Sequence, residues 1–209
     1  MSISDRKLRH KVQVKQAILD FAQEVATAEG WEAVTMRRIS AKIEYALPVI
    51  YTHFKNKEAI ISALAGKGFG LLLEELQKVM ESQSDIITTS KQMTLTYIKF
   101  AKTHKALYLA MYGQDGVSSF LKGNLEEGEK MFDFIHDWLK NLVQIHQARI
   151  PNTWESTKLI WATLHGLITL DNINQINDSK TKVETIASDF IQILIEKWKI
   201  DNTVHHHSN

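Results

Sequence analysis

Cysteine is absent from the 209 residues, so the chain has no disulfide framework and no thiolate nucleophile, and a reducing compartment suits it. Apolar runs are short, none approaching the roughly 18 residues that a membrane span requires. The opening Met-Ser-Ile-Ser-Asp-Arg-Lys is charged and lacks a continuous apolar region, so neither secretion nor membrane insertion is expected and cytoplasm is the expected compartment. Strand-like alternation is nearly missing, and so are internal repeats and low-complexity linkers. Net charge is almost absent too, at +1, but it is unevenly spread. Residues 1–57 hold ten basic side chains (Arg6, Lys7, Arg9, Lys11, Lys15, Arg37, Arg38, Lys42, Lys55, Lys57) against six acidic ones, a surplus of +4 that leaves −3 for the rest. Such asymmetry suggests a basic head that meets an anion and a larger body that does not.

What is present is helical periodicity in a chain with 44% apolar residues, enough to build a core. Val14, Ile18, Phe21 and Val25 predict a first helix over residues 11–28 that stops at Gly30. Thr35 is a good N-cap for a short second helix that carries Met36, Ile39 and Ile43 inward and Arg37, Arg38 and Lys42 outward. A third helix begins near Ala46, where Pro48 falls in the first turn and forfeits no backbone hydrogen bond, and runs to about Phe54. Two short helices joined by a tight turn read as a helix-turn-helix over 35–54, and seven or so residues suffice to enter a major groove. Asn56 caps a long fourth helix with Ile60, Leu64, Leu71 and Leu72 inward, ending near Gln83 and Ser84. Further helices are predicted over 86–103, 105–112, 125–147, 154–173 and 182–199, with breaks at 113–116, Gly123, Pro151 and 177–179.

Within the head, Ile50-Tyr51-Thr52-His53-Phe54-Lys55-Asn56-Lys57-Glu58 resembles the end of the recognition helix in the TetR family of bacterial transcriptional regulators. The Gly30 break, the Thr35 cap and the Ile39-Ser40 pair extend the resemblance over about the first quarter of the chain. It implies an all-α fold with a three-helix head over 12–72, a helical ligand-binding and dimerisation domain over 73–202 and a disordered tail over 203–209. It places DNA-contact roles on Thr35, Arg37 and Arg38, on Ala46, Leu47 and Pro48, and on Tyr51, Thr52, His53 and Lys57. The expected partners are a double-stranded, palindromic DNA operator, a small apolar or aromatic effector and a second copy of the chain, with no cofactor, no metal and no enzyme activity. Three departures stand out: Glu44 occupies a turn position usually held by Gly, Ala46 replaces a Ser or Thr cap, and Leu47-Pro48 offers base edges few hydrogen-bonding groups.

Physical readings stand beside these roles. Phe54 is spaced for packing, and Tyr51, half in the core, either packs or also donates to a phosphate. Lys57 and the amides after Asn56 form a helix N-terminus, a ready anion site. The 6–15 arm is either a solvated tail or a contact to the DNA backbone.

The body resembles the family less closely. Lys105–Tyr112 and Trp161–Leu167 are similar to segments of a subgroup named for a Trp-His-Gly signature, although Ala-Thr-Leu here separates Trp161 from His165 and Gly166. At about 100° per residue, the apolar residues from Leu159 to Leu170 spread over roughly 200°, twice the stripe one core face needs. The last helix is similar. Two such helices suit a four-helix interface with a second copy, through Leu164, Ile168, Ile186, Phe190, Ile193 and Lys197; the alternative is two core helices of a monomer. Tyr97, Phe100, Tyr108, Met111, Tyr112, Trp138, Trp161 and His165 are the candidate effector contacts, with Tyr108 and His165 the polar anchors.

Other chemistries fit poorly. Gly66, Gly68 and Gly70 are not preceded by a strand and lack a following Gly-Lys-Ser/Thr, so they read as a soft point in the fourth helix, a pivot when ligand binds, and not as a phosphate loop. Glu126, Glu129, Asp133 and Asp137 share one helix face without a partnering histidine, which reads as a solvated acidic face. No Ser-His-carboxylate motif is apparent, and His205, His206 and His207 belong to the expected frayed tail. The competing functional reading is a helical small-molecule-binding or interaction protein without specific operator recognition; a carboxylate-bundle metalloenzyme is a further rival.

Overall fold

Helix is the only regular structure among the described residues of the computed structural model, which are 3–82, 85–113, 126–176 and 182–199. The breaks at 114–116, Gly123 and 177–179, the end at Gln83 and Ser84, and the tail from 203 lie outside them. The elements are α1 (Ile3–Glu29), a 3-10 turn (Trp31–Ala33), α2 (Met36–Lys42), α3 (Leu47–His53), α4 (Lys57–Glu81), α5 (Ile86–Thr103), α6 (Lys105–Tyr112), α7 (Glu126–His146), α8 (Thr153–Asn172) and α9 (Val183–Lys197). No described helix is long and apolar enough to cross a membrane.

The chain forms two compact units. One comprises the chain up to Phe69 together with the segment that starts at His104; the other comprises Gly70–Thr103 and the chain from Glu126 onward. In this division α6 groups with the head. In the first unit Val14, Ile18, Ala22 and Val25 of α1, Val34, Ile39 of α2 and Ile50 of α3 are buried. The Trp31 indole N–H donates to the Ala106 carbonyl across 3.0 Å and fixes α6 to this core. On α4, a Cβ at Gly68 would meet Met111 Sδ at 2.7 Å and Leu107 Cβ at 3.3 Å, so glycine there permits α6 to approach. Gly70 has nothing within 4 Å of such an atom. The glycines do not interrupt α4, and Gly68 has a packing reason.

The first helix starts at Ile3, eight residues before the expected start, so the 6–15 arm is helical, and residues 6–13 of it are solvated. Periodicity could not show this, because residues 4–13 are all exposed and present no apolar stripe to count.

In the second unit, α5 packs against α8 and α9, and α7 against α8. Leu139, Leu142, Ala148, Ile150, Ile191, Leu194, Ile195 and Trp198 make a core to which Trp138, Ile160 and Phe190 add partly buried surface. The Lys102 ammonium joins three helices, reaching Glu184 at 2.7 Å and Asp171 at 3.4 Å. The α8 start is fixed by Asn152, whose Oδ1 accepts from the amides of Trp154 and Glu155 at 3.0 and 3.1 Å.

Candidate nucleic-acid interface

The geometry of the helix-turn-helix follows from how its short helices end. Thr35 has extended backbone and its Oγ1 accepts the Arg38 amide at 3.2 Å, satisfying one of the orphan N–H groups of α2. At the other end Glu44 adopts φ +58° and the Tyr45 amide donates back to Ser40 O at 3.2 Å, a Schellman closure that usually employs glycine. The Ser40 hydroxyl donates to Tyr45 O at 2.6 Å and locks the turn from its other side. The Tyr45 hydroxyl in turn lies 3.2 Å from His10 Nε2 of α1. The chain then enters α3 with Ala46 as an N-cap that makes no side-chain hydrogen bond, and Pro48 in the first turn removes a donor that would otherwise be orphaned.

A seven-residue helix has room for one buried line, and on α3 it is Ile50, continued by Phe54 after the helix; both are buried. Phe54 is a packing residue whose ring also carries the Lys15 ammonium at 5.8 Å. Tyr51 is 49% exposed, about half covered as its spacing suggested, because it sits about 100° from the Ile50 line. Ala46, Pro48 and Thr52 are exposed beside it, with Leu47 and His53 half-buried. The Thr52 hydroxyl donates to Val49 O at 2.7 Å, which leaves its oxygen as an acceptor toward the outside.

His53 has its Nδ1 buried without a hydrogen-bond partner, and burial, with Lys11, Lys15 and His10 adding repulsion, holds the imidazole below the ordinary value of 6.5. A neutral ring with its proton on Nε2 meets that environment best and leaves an N–H to donate. Asn56 Oδ1 accepts the Ala59 amide at 2.9 Å, capping α4 as expected, and Lys57, half-buried, opens that helix. On α2, Arg38 is already engaged: its Nη1 and Nη2 reach the two Glu29 carboxylate oxygens at 2.8 and 2.5 Å, lowering the carboxyl's pKa and raising the guanidinium's. Arg37 is exposed and makes no hydrogen bond or ion pair among the described residues.

The candidate effector residues fall in both units. On α6, Tyr108, Met111 and Tyr112 are buried, and the two tyrosine rings lie 4.8 Å apart. Tyr97 and Phe100 are buried on α5, Trp138 is half-buried on α7, and on α8 Trp161 stacks on His165 at 5.7 Å and 19°. Burial holds the His165 imidazole below its ordinary range.

Of the residues expected to meet a second copy, Leu164 and Ile168 are buried within the protomer and do not reach its surface. Periodicity had shown two apolar faces without showing which one the chain itself covers. Leu159 and Leu170 on α8 and Ile173 just after it are 52, 44 and 59% exposed, and on α9 Ile193 is 60% exposed. Ile186 and Phe190 are half-buried and Lys197 is exposed. The acidic face of α7 is solvated, with Glu126 paired to Lys130 and Asp137 to Lys140. Among the described residues no group of three or more His, Asp or Glu side chains is placed to hold a metal.

A capped second helix, a closed turn and a short third helix with an exposed outer face constitute the reading head of a helix-turn-helix DNA-binding regulator. Residues 18–64 match the model for bacterial regulatory proteins of the tetR family, and residues 91–194 match the tetracyclin repressor-like C-terminal domain. The chain belongs to the TetR family of transcriptional regulators. It is 29% identical over 162 residues to the HTH-type transcriptional regulator YobS of Bacillus subtilis, covering 75% of this chain and 78% of that one. A tetracycline repressor protein of class C from Escherichia coli is 37% identical over 51 residues, 24% of this chain and 23% of the repressor, so the likeness there is confined to a short segment. In fold, a protein of unknown function from Rhodococcus superposes with a TM-score of 0.74 at 18% identity, over 88% of this chain and 95% of that one.

Proposed function

We propose that this regulator is a homodimeric repressor that holds a palindromic operator with two copies of α3 and leaves it when a small apolar or aromatic effector binds the body. The observation that carries the reading is the exposed outer face of α3, where Ala46, Pro48, Tyr51 and Thr52 stand clear of a fully packed inner line. Thr35 and Arg37 at the start of α2, and His53 and Lys57 beyond the recognition helix, supply donors to the backbone around that face. Ala46, Leu47 and Pro48 lack hydrogen-bonding side chains, so sequence is read through thymine methyls and groove shape more than through bidentate pairs. Arg38 contributes after it exchanges Glu29 for a phosphate.

Dimerisation is supported by the outward apolar residues Leu159 and Leu170 of α8, Ile173 just after it and Ile193 of α9, with Ile186, Phe190 and Lys197 at their margin. Effector contact is assigned to Tyr97, Phe100, Trp138, Trp161 and His165 in the second unit. The likeness of Lys105–Tyr112 and Trp161–Leu167 to segments of the Trp-His-Gly subgroup supports placing the body there.

A second reading has one observation in its favour. The first turn of α3 is apolar and its cap makes no side-chain hydrogen bond, as in a helical binding protein that has lost operator recognition. Selection of bound duplexes from a random library, with Tyr51→Ala and Lys57→Ala as controls, separates the two. An enriched palindrome that the controls lose supports the repressor; binding without enrichment supports the alternative.

A further inference from the structure

The N-terminal part of α1 runs out along the edge of the head, exposed on all sides and touching it through His10 and Tyr45. Its first buried side chain is Val14, and residues 4–13 are exposed throughout although the helix is continuous from Ile3. At about 100° per residue, Val14, Ile18, Ala22 and Val25 lie within an arc of roughly 80°, and Lys7 and Lys11 fall inside the same arc. The line that is apolar where the head lies beneath it becomes cationic where the head ends.

Three contacts show which side of the head this is. His10 meets Tyr45 in the turn between α2 and α3, Lys15 sits over Phe54, and Lys11 and Lys15 both act on His53 at the end of α3. Residues 4–13 contain Arg6, Lys7, Arg9, His10 and Lys11 against the single acid Asp5. The exposed Leu8 and Val12 lie on another side of the helix, outside the arc. The tetR-family match begins at residue 18, so this overhang precedes it.

We propose that Lys7 and Lys11, on the overhanging turns of α1, bind the phosphate backbone of duplex DNA beside the segment that α3 reads. The partner must be a polyanion continuous with the face of α3, and the sugar-phosphate strand flanking an occupied groove has that charge and that position. The rail holds any sequence equally, so it sets affinity and residence on DNA and leaves sequence choice to α3. This inference rests on the operator-binding reading above.

The test compares the chain with its Lys7→Gln/Lys11→Gln variant, measuring affinity for a random-sequence duplex, and for the duplex recovered by selection, across a fourfold range of salt. Gln matches Lys in helix propensity, and neither lysine is buried, so melting temperature should be unchanged. With a slope of about 0.9 per phosphate, losing two contacts in each protomer of the dimer lowers the salt slope by about 3.6. The fourfold rise in salt then weakens the parent roughly 150-fold more than the variant. The loss should be the same factor on both duplexes, and Lys7→Arg/Lys11→Arg should restore it. An unchanged slope in the variant overturns the rail and leaves operator binding intact. A loss confined to the selected duplex overturns it as well, since the lysines would then be reading bases. If the parent itself shows no salt-dependent DNA binding, the rail and the operator reading fall together.

Discussion

Two neighbouring arginines on α2 meet different surroundings, and their contributions should differ accordingly. Arg37 is free to reach a phosphate, whereas Arg38 is held by both oxygens of Glu29. Arg37→Ala, which removes one contact from each head of the dimer, should lower the salt slope of DNA binding by about 1.8 and Arg38→Ala by much less. Glu29→Gln should tighten binding by releasing Arg38, and filter-binding titrations at several salt concentrations check all three. The histidines make a second prediction. Both His53 and His165 are held below the ordinary 6.5 in the folded chain, the first by burial and then by Lys11, Lys15 and His10, the second by burial. Below that value the unfolded chain takes up protons that the folded chain refuses, so their stabilisation is complete above about pH 6.5 and fades as pH falls through it. Melting temperature should therefore drop between pH 7.5 and 5.5, and less steeply in a His53→Gln/His165→Gln variant.

Among the elements, the turn between α2 and α3 and the middle of α4 use glycine in opposite senses. Glu44 sits at φ +58° where glycine is unstrained, so Glu44→Gly should stabilise the head by about 0.5–1 kcal/mol in chemical denaturation. On α4, Gly70→Ala should gain up to about 1 kcal/mol of helix propensity. Gly68→Ala should instead lose about 1–2 kcal/mol, since its Cβ lands 2.7 Å from Met111 Sδ and crowding outweighs propensity. These elements also show what a sequence discloses. The bounds of α5 and α6 and the Thr35 and Asn56 caps were legible because they depend on periodicity and on side chains next to the backbone they serve. The overhang of α1 was not, because a helix exposed all round has no apolar stripe. The burial of Leu164 and Ile168 was not either, because periodicity distinguishes a helix's faces without saying which one its own chain covers. In the candidate interface the exposed face of α3 could be read, but the clasp between Glu29 and Arg38 and the contact from His10 to Tyr45 join residues whose pairing appears only after folding.

For the molecule as a whole, the outward residues of α8 and α9 predict a concentration-dependent assembly. Ile193→Glu should shift sedimentation from dimer to monomer and weaken operator binding without altering contacts in α3, because two heads on one duplex act through their joint concentration. The division into units has another effect, on the order of events during synthesis. The head includes α6, which follows α5 in the chain, so neither the Trp31 indole bond nor the Gly68 contact can form when residue 69 has emerged from the ribosome. At about 5–20 residues per second, the nascent head waits on the order of seconds for Tyr112, with its α6-facing surface bare and open to a chaperone.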